Sequence, residues 1–93
     1  MENRILARVR FLTSAEGGRT CDVSGVFYSA PVFVDDGEGL DCRILLNGRT
    51  LCLGEIESLE LIFLNPHAAL PRLCSGTHFT LWEGKTVAEG VVV

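Results

Sequence analysis

Cysteine and histidine are the residues of this sequence best suited to metal binding or nucleophilic catalysis. The four cysteines are Cys21, Cys42, Cys52 and Cys74. None of them belongs to a C-x-x-C pair, the spacing that brings two thiolates to one metal ion. The two histidines, His67 and His78, have no Cys or Ser placed as a nucleophile in a known motif. The sequence therefore predicts no catalytic residue, no metal site and no cofactor, and we expect a protein that is not an enzyme.

Structural roles explain these residues more simply. The cysteines are expected to be small apolar side chains of the core, with at most one exposed thiol, rather than a disulfide framework. His67 follows Asn65-Pro66, where we expect its side chain to form a hydrogen bond that fixes the loop. The acidic segment from Asp35 to Asp41 lacks the calcium-loop pattern, and we expect a solvated loop there.

A stripe of arginines near the start is a candidate binding surface. Arg4, Arg8 and Arg10 share one face of a predicted strand, and Arg19 follows in the next turn. Such a stripe either meets an anionic partner or is a solvated outer face that prevents aggregation. The net charge of −4 argues against a domain whose main task is to neutralise phosphates.

Aromatic residues around Pro31 form a second candidate. Phe27, Tyr28 and Phe33 lie in one segment and Trp82 in a later one. They either form an exposed patch for a protein or for nucleic-acid bases, or fill the core, which is the more common outcome. Tyr28 and Phe33 join the four arginines as candidate partner-binding residues.

The elements that would position these residues are short strands. Residues 4–13 alternate with a period of two, which indicates a half-buried strand, and the glycines after Glu16 predict a hairpin-like reversal. The segment from Val26 to Val34 has strand composition, but Pro31 predicts an edge, a bulge or two short strands. Asn47-Gly48 predicts a type I′ hairpin whose second strand begins near Thr50.

The second half of the chain continues this pattern. The segment from Leu59 to Leu64 is compatible with a helix end, but the prolines that follow favour a strand. Residues 77–82, a short turn at 83–85 and residues 86–93 predict a final hairpin. Six or seven strands in a single domain, residues 1–93, indicate an all-β barrel or sandwich. With no long apolar segment and no secretory leader, we expect no membrane span and a cytoplasmic location.

Several motifs resemble the C-terminal β-barrel domain of elongation factor Tu. They are Glu16-Gly17-Gly18-Arg19, the aromatic strand with Pro31, and the pattern from Leu61-Ile62-Phe63-Leu64-Asn65-Pro66 through Trp82-Glu83-Gly84-Lys85-Thr86-Val87 to Gly90-Val91-Val92. The resemblance covers nearly the whole chain. It implies a small six-stranded antiparallel barrel that, in the full factor, packs on other domains and contacts aminoacyl-tRNA.

Position by position, the resemblance carries over only in part. Arg19 matches the arginine of the Gly-Gly-Arg turn, which implies a position near a tRNA backbone, whereas Thr20, Ala30 and Val32 replace polar residues of the family. No G-x-x-x-x-G-K-[ST] loop is present, so nothing indicates GTP hydrolysis. We therefore expect an interaction module that binds a protein partner. RNA binding through Arg19 and the arginine stripe is the alternative, and the apolar C-terminal strand could add to a second copy to form a homodimer.

Overall fold

Residues 4–35 and 37–93 are described by a computed structural model of the chain. Six antiparallel strands close into a barrel in the order β1-β4-β3-β2-β5-β6, which confirms the predicted all-β, six-stranded antiparallel barrel. The strands are β1 (Arg4–Phe11), β2 (Phe27–Phe33), β3 (Leu40–Leu45), β4 (Ile56–Phe63), β5 (His78–Trp82) and β6 (Thr86–Val92). The connections contain the four-residue helix α1 (Pro66–Ala69) and 3-10 turns at Ser14–Glu16 and Leu70–Arg72.

Alternation along the strands separates the core from the outer face. In β1, Ala7, Val9 and Phe11 are buried, while Arg8 points outward, as the period of two predicts. The same alternation makes 56–63 a strand rather than a helix. The barrel interior is filled by aliphatic side chains together with three buried phenylalanines, Phe11, Phe63 and Phe79. Each such aromatic contributes about 1.5–3 kcal/mol of burial free energy.

Pro31 lies inside one continuous strand, so the expected bulge or pair of short strands is wrong, whereas the expected edge describes its β5 side, where Pro31 has no ladder partner. The carbonyl of Val26 accepts the Leu46 N–H, and backbone groups alternate in direction along an antiparallel strand. Pro31, five residues on and opposite Asp41, therefore directs its nitrogen away from β3. The ladder between β2 and β5 contains only Val32 and Phe33 on the β2 side, so Pro31 lies just outside this ladder and its nitrogen faces a side of β2 that has no ladder partner.

Two predicted hairpins are also wrong, although their turns are present. Asn47 and Gly48 both have positive φ, 53° and 83°, as a type I′ turn requires. The residues that follow form no strand, and only Leu51 forms an isolated bridge, with Val23. Similarly, the chain turns after β1, but β1 pairs with β4 and β6. Barrel closure therefore overrides the local pairing that each turn favours.

The final hairpin is confirmed, with β5 and β6 antiparallel and a bulge at Leu81/Trp82. Because β6 pairs with β1 on its other side, it offers no free edge to a second copy, contrary to the edge-strand route to a homodimer. Among the described residues, no helix has the length and apolar character needed to cross a membrane.

Candidate functional site

The structure distributes the six predicted binding residues over three places. Arg8, Arg10 and Phe33 line one groove on the outer face of the barrel. Arg19 and Tyr28 meet elsewhere, around Glu83. Arg4 is separate from both groups, because its guanidinium lies 2.7 Å from the Glu60 carboxylate. The arginine stripe is therefore one face of β1 but not one binding site.

The groove is lined by residues of five strands and has a volume of about 630 Å³. Its floor is one row of outward-facing residues that are paired across neighbouring strands. Glu89 on β6 lies opposite Thr80 on β5 and, on its other side, opposite Arg10 on β1. Arg10 in turn lies opposite Ile56 on β4. Phe33 on β2 pairs with Thr80 and forms the wall of the groove on the β2 side. A volume of several hundred Å³ is in the range of sites that bind ligands or short segments.

Apolar side chains in the groove remain accessible. Ile56 is 66% exposed, and Phe33 and Val91 are half-buried. Gly90 contributes no side chain, and a Cβ there would lie 2.5 Å from the Phe79 ring. The missing side chain therefore leaves room for the Phe79 ring, which fills the core beneath the groove.

The charges in the groove are only partly neutralised. Arg10 donates from Nη2 to Glu16 at 2.9 Å and from Nε to the Gly54 carbonyl at 3.1 Å. Arg8 forms no ion pair within residues 4–35 and 37–93. Glu89 and Asp35, on the β6 and β2 sides of the groove, likewise form none in that part of the chain. A partner can therefore meet charges of both signs there.

Phe33 also belongs to an aromatic patch beside the groove, which consists of Pro31, Phe33 and Trp82. The two ring centroids are 6.3 Å apart with an interplanar angle of 68°. Trp82 is 45% exposed. Phe27, at the start of β2, is 48% exposed, and the Arg43 guanidinium lies over its ring. The expectation that the aromatics fill the core is therefore wrong for Phe27, Phe33 and Trp82, which alternation along β2 and β5 turns outward, whereas Tyr28 packs against the core.

Arg19, Tyr28 and Glu83 form a second cluster. Both Arg19 Nη1, at 2.6 Å, and the Tyr28 hydroxyl donate to Glu83 Oε2, and the Arg19 guanidinium lies 5.6 Å from the Tyr28 ring centroid. Burial raises the pKa of Tyr28, and its hydrogen bond to the Glu83 carboxylate raises that pKa further. This cluster ties the loop before β2 to the β5–β6 turn, so Arg19 has a structural partner of its own.

The cysteines and His67 differ from the expectations. Cys42 is buried, but Cys21, Cys52 and Cys74 are all exposed and all four thiols are free. Burial raises the pKa of Cys42 to about 12, so this thiol stays protonated at neutral pH. His67 is exposed and forms no side-chain hydrogen bond with the described residues. The Asn65 carbonyl instead holds the turn by accepting the Ala68 and Ala69 N–H groups.

Several groove residues were not among the sequence candidates. Ile56, Glu89 and Val91 come from strands distant in sequence from Arg8, and only the strand order brings them together. Within residues 4–35 and 37–93, no group of three His, Cys, Asp or Glu side chains is placed to hold a metal ion. The sequence matches no protein-family model and no curated protein.

Proposed function

We propose that this barrel is a non-catalytic interaction module that binds a protein partner through the groove lined by Arg8, Phe33, Ile56 and Glu89. The observation that supports the proposal is the accessible apolar surface inside the groove, above all Ile56 at 66% exposure. Apolar side chains in a concave surface with charges at its sides are typical of protein-binding sites.

The resemblance to the C-terminal domain of elongation factor Tu is part of this proposal. The closed six-stranded antiparallel barrel is the architecture that the resemblance implies, and that domain meets its neighbours by packing. A protein contact fits the present chain better than an RNA contact. Three of the four predicted arginines are already paired with carboxylates of the chain itself, namely Arg4, Arg10 and Arg19.

A pull-down with matched bait variants tests the proposal. Ile56→Glu places a charge in the groove, whereas Val26→Glu places the same charge on a side chain that is 70% exposed and lies outside the groove. We expect bound protein that survives a high-salt wash with the unmodified domain and with Val26→Glu, and its loss with Ile56→Glu. Equal retention by both variants would rule out the groove.

The same eluates test the alternative. RNA that is captured at low salt, released at high salt and lost with Arg19→Ala would instead support RNA binding, because phosphate contacts weaken steeply as salt rises. Circular dichroism of each variant establishes that the barrel is folded before its binding is compared.

A further inference from the structure

We propose that the partner's contact segment is an extended, proline-containing, basic stretch of chain that lies across the aromatic patch of Pro31, Phe33 and Trp82. This inference rests on the proposed function, since it names the chemistry of a partner bound at the groove and its aromatic edge. Its three supports are the charge around the patch, the shape of the patch and its unused hydrogen-bond donors.

Three carboxylates border the patch on its β2–β3 side. Asp41 lies directly opposite Pro31 on β3, and Asp35 lines the groove next to Phe33. Glu38 lies between them in the same loop, and all three carboxylates are on exposed residues. None of the three forms an ion pair with the described residues. Since opposite charges at an interface speed encounter and select partners, this border favours lysine or arginine on the partner.

One cation beside this border, Arg72, is already committed to the chain's own backbone. The Arg72 guanidinium donates to the Val34 carbonyl at 3.1 Å and lies so close to Gly37 that a Cβ there would be 2.1 Å from Nη2. Arg72 therefore holds the acidic loop in place. It lowers the negative charge of the loop without forming an ion pair with Asp35 or Glu38.

The shape of the patch suits proline rings. Phe33 and Trp82 are in edge-on contact at 68° to each other, so the patch presents two rings at an angle, with Pro31 on the same face of β2 as Phe33. Gly39 keeps this side low, because even a Cβ at that position would approach the Phe33 ring and Pro31 to 3.1 Å. Aromatic-lined grooves of this kind bind polyproline II segments, which lose little conformational entropy on binding because they are already extended.

The hydrogen-bond donors of the patch suit the same ligand. Neither the Trp82 indole N–H nor the Thr80 hydroxyl, which lies between Phe33 and Glu89, donates to any described residue. A polyproline II segment has no internal hydrogen bonds, so its carbonyls can accept from such donors. Strand addition does not fit at the patch, because Phe33 is already paired with Thr80 on that side of β2 and Pro31 has no N–H to donate to an added strand.

Trp82 is the only tryptophan of the chain, so its fluorescence reports on the patch. The probe is a ten-residue peptide with prolines in a P-x-x-P arrangement and two arginines at one end, also prepared with a fluorescein label for anisotropy. We expect saturable binding to the full chain with a Kd of roughly 1 µM to 1 mM, accompanied by a shift of Trp82 emission to shorter wavelength.

Matched peptides and variants identify the source of the affinity. We expect binding to weaken at least about tenfold when the arginines are replaced by glutamates, or when the prolines are replaced by alanines. Trp82→Ala and the double variant Asp35→Asn/Asp41→Asn should each weaken binding by a similar factor in anisotropy. Glu55→Gln/Glu57→Gln removes the same number of charges outside the patch and should leave the affinity unchanged. The asparagine variants change only exposed residues, so they test the inference even if Trp82→Ala fails to fold.

Three outcomes would overturn the inference. The first is that binding does not saturate at millimolar peptide. The second is that the glutamate peptide binds as tightly as the arginine peptide or more tightly. The third is that the chain self-associates and buries Trp82 in the absence of peptide. If Ile56→Glu abolishes capture of the protein but the peptide does not bind, this inference alone is overturned and the proposed function stands. If the peptide binds but Ile56→Glu captures as much protein as the unmodified domain, the results support the patch as a binding site and contradict the groove as one.

Discussion

Glu83 is the residue on which two other side chains depend. Its carboxylate accepts from Arg19 and from the Tyr28 hydroxyl, and Tyr28 in turn packs edge-on against Phe11, with ring centroids 5.2 Å apart. A charge-assisted hydrogen bond that is partly shielded from water is stronger than a neutral one. The cluster therefore links the loop before β2 to the core through one aromatic ring.

Tyr28 should ionise at unusually high pH. It is the only tyrosine of the chain, so absorbance at alkaline pH follows it alone. Burial, and then the bond to Glu83, raise its pKa above the ordinary value, and Glu83→Gln should lower that pKa without restoring the ordinary value, because the burial remains. The folded-state pKa is the higher one, so this contribution to stability is full below about pH 10 and is lost as pH rises through the folded pKa.

The spectroscopic titration is made on folded protein, with circular dichroism recorded at each pH. Lys85→Gln, in the same turn but outside the Tyr28 hydrogen bonds, serves as the control and should leave the midpoint in place. An unmodified chain that titrates near the ordinary tyrosine pKa while still folded would contradict the assignment of the cluster.

Gly90 is a second single residue with a measurable role. A Cβ there would approach the Phe79 ring to 2.5 Å and the Arg8 carbonyl to 3.0 Å. Gly90→Ala should therefore lower the free energy of unfolding by about 1–3 kcal/mol, the usual cost of overpacking a core. Phe79→Leu gives space back, so the double variant should be less destabilised than the sum of the single changes. Urea unfolding of the four proteins measures this coupling, and strict additivity would show that the ring is not the obstacle.

At the scale of elements, the Ser14–Glu16 turn is tied to β1 by Arg10. Glu16 accepts from the Thr13 N–H at 2.8 Å and from Arg10 at 2.9 Å. The Thr13 N–H bond lowers the pKa of Glu16 most, and the Arg10 guanidinium lowers it further. Arg10 also donates to the Gly54 carbonyl, so one side chain joins two connections to the barrel wall.

This arrangement predicts an acid-dependent stability contribution. The folded-state pKa of Glu16 is the lower one, so the contribution is present above the ordinary glutamate pKa and is lost as pH falls through the folded pKa. Glu16→Gln should therefore destabilise the chain at pH 7, and the difference from the unmodified chain should shrink toward zero in acid. Urea unfolding at a series of pH values measures it, with Glu55→Gln as an exposed control. A difference that is constant with pH would contradict the carboxylate's role.

Sequence patterns predicted the elements more accurately than the way they pair. The period of two in β1 and the proline limits on β4 identified both strands, because those signals are local. Asn47-Gly48 identified a turn but not the hairpin, and the first turn did not identify the partner of β1. Pairing in a barrel depends on closure between β1 and β6, which are distant in sequence, and no local pattern encodes that contact.

The same limit applies to the candidate site. Alternation alone places Arg8 and Phe33 on the outer face, which is why both could be proposed from the sequence. That Arg8 lies in a groove with Ile56, whereas Arg19 is held by Glu83, depends on the strand order and on contacts 64 residues apart along the chain. Trp82 lies on the surface because alternate residues of β5 point outward and Trp82 is one of them. The residue type alone favoured a position in the core.

For the whole molecule, the barrel is closed by ladders of unequal length. β1 pairs with β4 over seven positions, whereas β2 pairs with β5 over two. Fewer ladder positions mean fewer backbone hydrogen bonds to break, so the β2–β5 seam is the place where the closed barrel opens most easily. The aromatic patch lies across this seam, since Phe33 belongs to β2 and Trp82 to β5.

Native-state hydrogen exchange should show this difference directly. We expect the ladder amides of β1 and β4 to exchange only with global unfolding, with a denaturant dependence equal to that of the equilibrium transition. Amides of the β2–β5 seam should exchange through a smaller opening, with lower protection and a weaker denaturant dependence, because less surface is exposed. A partner that contacts both Phe33 and Trp82 spans the seam, so saturating peptide should raise the seam's protection toward the global value while leaving that of β1 and β4 nearly unchanged. Equal protection in both regions of the free chain would mean that the barrel opens only as a whole, and that the short ladder is held as firmly as the long one.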